Sequence, residues 1–141
     1  MAHNFSIANR TSKRIPRSLL QRVFSLASRK RTMEVSLVFL GDRAMHAVNK
    51  KWRKRDAQAN VLAFMLEASV GEVALNPYEA EREARKVGVL YPERIAYLFL
   101  HGLLHLYGYD HKTEKEARKM ERKEKEILNH ELGIMNHAKK K

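Results

Sequence analysis

Three histidines in the run from 101 to 111, which reads HGLLHLYGYDH, are spaced so that they could bind one metal ion. His101 and His105 are four residues apart, so on a helix their imidazoles lie one turn apart on the same face. Gly108 tolerates the positive φ that commonly ends a helix, so the chain can turn back and bring His111 to the first two. The spacing predicts a three-histidine metal site at His101, His105 and His111.

Three neutral imidazoles favour hydrolytic chemistry. They leave one position of a tetrahedral zinc ion open to water, which is typical of catalytic rather than structural zinc sites. Zinc would lower the pKa of that water toward about 7 and so supply hydroxide near neutral pH. Imidazole also suits nickel, copper and iron, so the ligands alone do not fix the metal. We expect one zinc ion (Zn2+).

The residue after the first histidine disfavours one class of hydrolase. HExxH metallopeptidases carry a glutamate there as general base. This chain has Gly102 at that position. A carboxylate from elsewhere in the chain could substitute, so a peptidase is less favoured without being excluded.

The charge distribution predicts a polyanionic partner. Lys and Arg number 28 against 16 Asp and Glu, a formal net charge of +12. Residues 1–33 contain no acidic side chain, and a second basic cluster runs from Lys50 to Arg55. Such blocks attract the phosphates of RNA or DNA, and the ribosome would also qualify. The alternatives are a solubilising surface or, for the acid-free start, a mitochondrial presequence, although that segment has the pattern of structured elements.

Length and composition predict one domain. The 141 residues contain no linker rich in Gly, Ser or Pro, so residues 1–135 are expected to form a single domain and residues 136–141 a disordered basic tail. Cysteine is absent, which excludes disulfides and thiolate ligands. No apolar run approaches the roughly 18 residues of a membrane span, so we expect no membrane contact and a soluble, cytoplasmic protein.

Hydrophobic periodicity predicts an α+β domain in which a small sheet packs against helices. The elements read βαβα, then two strands, then three helices. The first predicted strand begins near Phe5. The other three run from Val35 to Phe39, from Val61 to Met65 and from Glu72 to Leu75. The stretch from Glu93 to Tyr107 is apolar nearly all round, which predicts a buried central helix that carries both chelating histidines.

Three segments together resemble the YbeY family of rRNA-maturation endoribonucleases. The family's histidine motif HGxLHLxGxDH is matched without a gap by residues 101–111, and NKKWR from Asn49 to Arg53 is similar to its N-x-x-[YW]-R segment. Its M-x-x-x-E-x-x-I-L ending is matched by Met120, Glu124, Ile127 and Leu128. The chain departs from the family's T-[DN]-V-L-S-F and L-G-D segments at Ala59, Ala63 and Glu72, which removes two hydroxyls and lengthens one acidic side chain.

The resemblance implies a fold, an activity and site residues. It implies a mixed, about four-stranded sheet, a zinc ion, and an endoribonuclease that matures the 3′ end of small-subunit ribosomal RNA and takes part in ribosome quality control. It makes Arg53 the functionally important arginine. A guanidinium suits the charge that develops on a phosphodiester undergoing cleavage, so Arg53 is the candidate catalytic residue.

Some roles stay open at this stage. Asp110 could orient a ligand histidine, accept a proton or cap the turn after Gly108. Tyr107 and Tyr109 could stack on bases or pack in the core. Two other functions also compete: an rRNA-binding assembly factor of the small ribosomal subunit whose zinc is structural, and a small metallopeptidase-like hydrolase.

Overall fold

The computed structural model describes residues 4–53 and 60–134, which form one four-stranded sheet packed with helices. The strands are β1 (Phe5–Asn9), β2 (Glu34–Phe39), β3 (Val61–Glu67) and β4 (Val70–Leu75). The helices are α1 (Arg17–Ala27), α2 (Asp42–Arg53), α3 (Pro77–Val87), α4 (Tyr91–Leu106) and α5 (Glu114–Lys125), and a π-helical turn (Glu126–Glu131) follows α5. The predicted α+β class and element order are confirmed.

The sheet is mixed, with strand order β1-β2-β4-β3. β1 pairs parallel to β2, and β2 pairs parallel to β4. β3 pairs antiparallel to β4, with Val61 opposite Leu75. The sequence pattern did not indicate strand order, because the helical connections that make β1, β2 and β4 parallel leave no local signal.

The alternating residues of β2 point into a core built around α4. Val35, Leu37 and Phe39 are buried, as the alternation predicts. The buried residues of α4 are Ile95, Ala96, Leu98, Phe99, Leu100, Gly102, Leu103, Leu104 and Leu106. This helix is therefore the buried central helix predicted from the sequence, although it begins and ends slightly earlier, at Tyr91 and Leu106.

α4 lies close against the sheet because a glycine faces it. A Cβ built at Gly102 would lie 3.0 Å from Val73 Cγ1 and 3.1 Å from Val61 Cγ2, closer than most real Cβ contacts. The helix can pack this tightly on β3 and β4 only while residue 102 has no side chain. The close approach fixes the height of the helix, and with it the histidines on either side of Gly102.

Polar side chains define where the outer helices begin. Asn76 precedes α3, and its Oδ1 accepts hydrogen bonds from the backbone N–H groups of Tyr78 and Glu79 at 3.0 and 3.3 Å. Thr113 caps α5 by accepting from the backbone N–H of Glu116 at 3.1 Å. Both caps satisfy donors that the first helical turn leaves free.

The C-terminal helix continues inward. After α5, the π-helical turn places Ile127 and Leu128 in the core, and Gly133 follows with φ of 73°. The predicted basic tail, residues 136–141, lies outside the described residues. No helix within the described ranges is both long enough and apolar enough to cross a membrane.

Candidate metal centre

The three predicted histidines converge at one end of α4. Each of His101, His105 and His111 offers a ring nitrogen, and these three atoms lie within 4.8 Å of one another. The ring centroids of His101 and His105 are 4.9 Å apart, and those of His105 and His111 are 5.1 Å apart. His101 and His105 are half-buried and His111 is exposed, so the cluster opens to solvent.

A buried carboxylate from another helix orients the first histidine. Glu124 of α5 is 3% exposed, and its Oε2 lies 2.6 Å from His101 Nδ1. Because a carboxylate only accepts, Nδ1 carries the proton, and Nε2 is left as the nitrogen available to a metal. Pairing of a ligand histidine with a carboxylate is the usual support of a metal site. The sequence pattern identified Glu124 as part of the M-x-x-x-E-x-x-I-L segment but gave no signal of this contact.

The surroundings of the second histidine favour its neutral form. Burial lowers the pKa of His105 below its ordinary value, and the neighbouring imidazoles of His101 and His111 lower it further. The charge of Asp110 and the backbone of Tyr109 act in the opposite direction. Since only a neutral imidazole binds a metal, this environment suits a ligand.

The turn from 107 to 111 delivers the third histidine. Gly108 has φ of 99°, as predicted, and the N–H groups of Gly108 and Tyr109 donate to the carbonyls of His105 and Leu104. Asp110 Oδ1 accepts the backbone N–H of His111 at 2.7 Å. Of the three roles open to Asp110, the structure thus supports capping of this turn.

The two tyrosines of the turn differ in exposure. Tyr107 is buried, its hydroxyl lies 2.5 Å from Ser28 Oγ, and the guanidinium carbon of Arg31 lies 4.5 Å from its ring centre. Tyr107 therefore packs and ties the turn to the end of α1, which agrees with the packing alternative. Tyr109 is only partly buried.

An aromatic and a basic residue on α4 extend the site and were not singled out from the sequence. The ring of Tyr97 lies 5.9 Å from the ring of His101, one helical turn before it. The guanidinium carbon of Arg94 lies 4.9 Å from the Tyr97 ring centre, and Arg94 pairs with Glu83 at 2.9 Å. Burial raises the pKa of Tyr97 to about 12, so its phenol stays protonated at neutral pH.

The structure describes only some of the remaining residues that the sequence analysis singled out. Arg53 is the last residue of α2, and its side chain lies outside the described part of the molecule, as does Ala59. Ala63 lies on β3 opposite Val73, and Glu72 lies on β4 between Ser36 and Phe64. Neither Ala63 nor Glu72 belongs to the histidine cluster.

These residues fit a divalent metal ion. Three imidazoles at one open corner, one of them supported by a carboxylate, could form the donor set of a mononuclear site that keeps an exchangeable position. Such a site could activate water for hydrolysis. Gly102, which follows the first histidine, is pressed against Val73 and Val61, so the base used by HExxH peptidases has no space at this point.

Comparison with known proteins gives one family. The family model described as Endoribonuclease YbeY matches residues 2–131. Relatives bearing that name include proteins from Pelotomaculum thermopropionicum (41% identical over 106 residues, covering 67% of this chain and 70% of that protein) and Campylobacter jejuni (38% over 111 residues, 75% and 81%). A third, from Allorhizobium ampelinum, is 40% identical over 104 residues, and the match covers 67% of this chain but only 62% of that protein.

A solved structure agrees on the fold. The solution structure of a Thermotoga maritima protein superposes with a TM-score of 0.62 and covers 89% of this chain and 90% of its own, at 22% identity. At that identity the likeness bears on the architecture alone. The family model, in contrast, spans nearly all of the described residues, and the curated relatives share about 40% of the aligned positions. The chain therefore belongs to the YbeY endoribonuclease family.

Proposed function

We propose that this protein is a zinc-dependent endoribonuclease that cuts single-stranded RNA during ribosomal RNA processing. The proposed substrate is the 3′ end of small-subunit ribosomal RNA, on the ribosomal small subunit and in the cytoplasm, with a part in ribosome quality control. The proposed catalytic unit is residues 1–135. The observation that carries the proposal is the cluster of three histidine nitrogens within 4.8 Å of one another at a solvent-accessible corner.

Each histidine has a defined part in the proposal. His101, His105 and His111 hold the ion, and Glu124 keeps the proton of His101 on Nδ1 so that Nε2 binds. A bound zinc ion would act as a Lewis acid and would lower the pKa of a water molecule toward about 7. His111 is exposed to solvent, so a nucleic acid strand can reach the histidine cluster there.

Arg53 is proposed to hold the phosphate that is cut. A guanidinium offers paired donors to the oxygens on which negative charge builds, and it stays protonated at any physiological pH. The resemblance of the NKKWR segment to the family's N-x-x-[YW]-R segment supports this role for Arg53.

The test is cleavage of an rRNA 3′ fragment by four purified proteins: the parent, Arg53→Ala, His105→Ala and Lys50→Ala. Lys50 is an exposed cation on the same helix as Arg53, so Lys50→Ala removes the same charge and serves as the matched control. Elemental analysis reports the metal in each protein. Loss of one transition-state contact typically costs about 10²–10³ in rate.

We expect the parent to contain zinc and to cut the fragment. Arg53→Ala should retain the metal and lose at least about 100-fold in rate, and Lys50→Ala should stay within about threefold of the parent. His105→Ala should lose both metal and cleavage while remaining folded. Equal cleavage by all four proteins would mean a contaminating nuclease and would favour a binding factor with structural zinc. Activity confined to a parallel panel of peptides and esters would instead support the hydrolase alternative.

A further inference from the structure

A shallow groove runs along the outer face of α5, beside the turn that carries His111. Its volume is about 590 Å³. The residues that line it are Tyr109, Lys119, Arg122, Lys123, Lys125, Glu126 and His130. We call it the α5 groove. No part of the proposed metal chemistry uses these side chains.

The α5 groove is positively charged. Four cations line it against one carboxylate, and that carboxylate, Glu126, lies 3.7 Å from Lys123. Among the residues that the structure describes, Lys119, Arg122 and Lys125 form no ion pair. Their charges are available to an anionic ligand, whereas an exposed helix that only needs solubility usually pairs such charges along its face.

The cations lie on adjacent turns of the helix. Lys119, Arg122 and Lys123 recur at intervals of three and four, so they share one face, and Lys125 follows Arg122 by three residues. From Lys119 to Lys125 the cations span about 9 Å at 1.5 Å per residue. Several positive charges over this length suit a strand with a charge on every repeat better than they suit one isolated anion.

The groove lies close to the candidate metal centre along the chain. Tyr109 lines it, and the backbone N–H of Tyr109 donates to the carbonyl of Leu104, the residue before His105. His111 follows two residues later. A strand lying in the α5 groove would therefore pass beside the turn that carries His111.

The composition of the groove distinguishes among anionic partners. The apolar residues of this segment, Met120, Ile127 and Leu128, are buried, so α5 has no apolar face to insert into a lipid surface. The partly exposed ring of Tyr109 among lysines and an arginine is instead typical of sites for single-stranded nucleic acid, in which bases stack on aromatic rings and cations contact phosphates.

We propose that the α5 groove binds the single-stranded RNA flanking the scissile phosphate, with Lys119, Arg122 and Lys123 on the phosphates and Tyr109 under a base. The inference rests on the proposed function for its substrate class. It adds a binding surface separate from the histidines and from Arg53.

Binding is tested apart from cleavage. Fluorescence anisotropy measures the affinity of the zinc-loaded full chain for a labelled, phosphorothioate-linked single-stranded RNA, which resists hydrolysis. The variant Lys119→Ala with Arg122→Ala removes two groove cations. Its matched control is Arg85→Ala with Lys86→Ala, which removes two exposed cations from α3 and leaves the same net charge.

The groove variant should bind the RNA about tenfold more weakly than the parent does. The plot of log affinity against log salt concentration should become less steep by about 1.4, the change expected for two lost phosphate contacts on a single strand. The α3 control should bind like the parent. Tyr109→Phe should keep full affinity and Tyr109→Leu should lose it severalfold, with zinc content unchanged in both. Equal weakening in both double variants would overturn the proposal, because it would show that net charge, and not the position of the groove cations, determines the affinity for RNA.

Cleavage of unmodified RNA by the same proteins separates the two proposals. If the parent cuts and the groove variant binds and cuts as well as the parent does, the α5 groove is not the binding surface and the nuclease assignment stands. If binding depends on the groove but no protein cuts, the groove stands and the nuclease assignment fails. If the parent neither binds nor cuts, both are overturned.

Discussion

Glu124 determines which nitrogen of His101 can bind a metal, so its removal should weaken the site without unfolding the domain. We predict that Glu124→Gln lowers zinc affinity by about 10- to 100-fold, because the amide matches the carboxylate in shape but not in charge. Competition with a chromophoric chelator measures the affinity. Glu114→Gln, a largely exposed glutamate of the same helix, is the control and should bind zinc like the parent.

His105 should make the metal-free protein sensitive to mild acid. Its pKa in the folded chain lies below its ordinary value of 6.5, first because of burial and then because of its histidine neighbours. The unfolded chain therefore binds more protons between the lowered pKa and 6.5, and the free energy of unfolding falls as the pH falls through that window. Above 6.5 this contribution is fully present.

We predict that denaturant titrations of the zinc-free parent give a lower free energy of unfolding at pH 5.5 than at pH 7.5, and that His105→Gln reduces the difference. His46→Gln, an exposed histidine on α2 outside the cluster, is the control. An unchanged pH dependence in His105→Gln would show that its surroundings do not disfavour the charged ring.

At the residue scale, the sequence predicts what is close in the chain and misses what is distant. His101, His105 and His111 fall within eleven residues, so helical spacing and one glycine were enough to bring them together. Glu124 lies 23 residues from His101, and their contact depends on how α5 packs. The partial exposure of Tyr109 was likewise not predictable from the sequence, because burial depends on neighbours from other elements.

At the element scale, the separation of α4 from the sheet depends on Gly102. Alanine there would gain about 1 kcal/mol in helix propensity. Its Cβ would press on Val73 and Val61, whose branched side chains have few rotamers with which to yield, and overpacking of this kind costs about 1–3 kcal/mol. We predict that Gly102→Ala lowers the free energy of unfolding by about 1 kcal/mol in a denaturant titration.

A double-mutant cycle checks the cause. Val73→Ala removes the methyl group nearest to residue 102, Cγ1 at 3.0 Å, and leaves Val61 Cγ2 at 3.1 Å. In that background Gly102→Ala should cost less than it does in the parent. If Gly102→Ala costs the same with and without Val73, the contact with the sheet is not what requires glycine.

Asn76 joins α3 to the start of α2 as well as capping its own helix. It is buried, and its Nδ2 donates to Asp42 Oδ1 at 2.7 Å while its Oδ1 caps α3. We predict that Asn76→Ala costs about 2 kcal/mol of unfolding free energy, because a cap and a hydrogen bond to a carboxylate are lost together. Asn76→Asp should also destabilise, although aspartate caps well, because its charge would face Asp42. A stable Asn76→Asp variant would mean that the cap alone matters.

Element types were predictable from the sequence, but their arrangement was not. The apolar stretch of α4 and the strand pattern of β2 each carry a local signal, and both elements were predicted within a few residues. The order β1-β2-β4-β3 depends on which strand edges pair after the helices dock. Nothing within a single strand encodes that choice.

At the scale of the whole molecule, the candidate metal centre links elements that lie far apart in the chain. Its histidines come from the buried helix α4 and the turn after it, Glu124 comes from α5, and Tyr107 ties the turn to α1. A ligand that binds only the folded chain stabilises the whole domain by mass action. Zinc should therefore act on global unfolding and not on one loop.

We predict that zinc at about 100 times its dissociation constant raises the free energy of unfolding of the chelator-stripped protein by about 2.7 kcal/mol. Denaturant titrations with and without the ion measure the effect. His111→Ala should abolish the increase, although His111 is exposed and contributes little to packing. A zinc-dependent increase of the same size in His111→Ala would place the ion elsewhere.

The net positive charge was readable from composition, but its distribution over the surface was not. The sequence drew attention to residues 1–33 and to the cluster from Lys50 to Arg55, and part of that cluster lies outside the described residues. The cations of α5 alternate with acids in the sequence and so resemble a neutral, solvated helix. Only the fold shows that Glu124 turns inward and that four cations line one groove with a single carboxylate, Glu126.

The close packing at Gly102 also limits how this scaffold could evolve. A glutamate there, the single change that would create an HExxH helix, would have to fit between α4 and two valines of the sheet. Acquiring peptidase chemistry would thus require the helix to be lifted and its core repacked before any new activity could be selected. The HGxLH helix of this chain and an HExxH helix are separated by the distance between a backbone and a sheet, so a single substitution would not lead from one to the other.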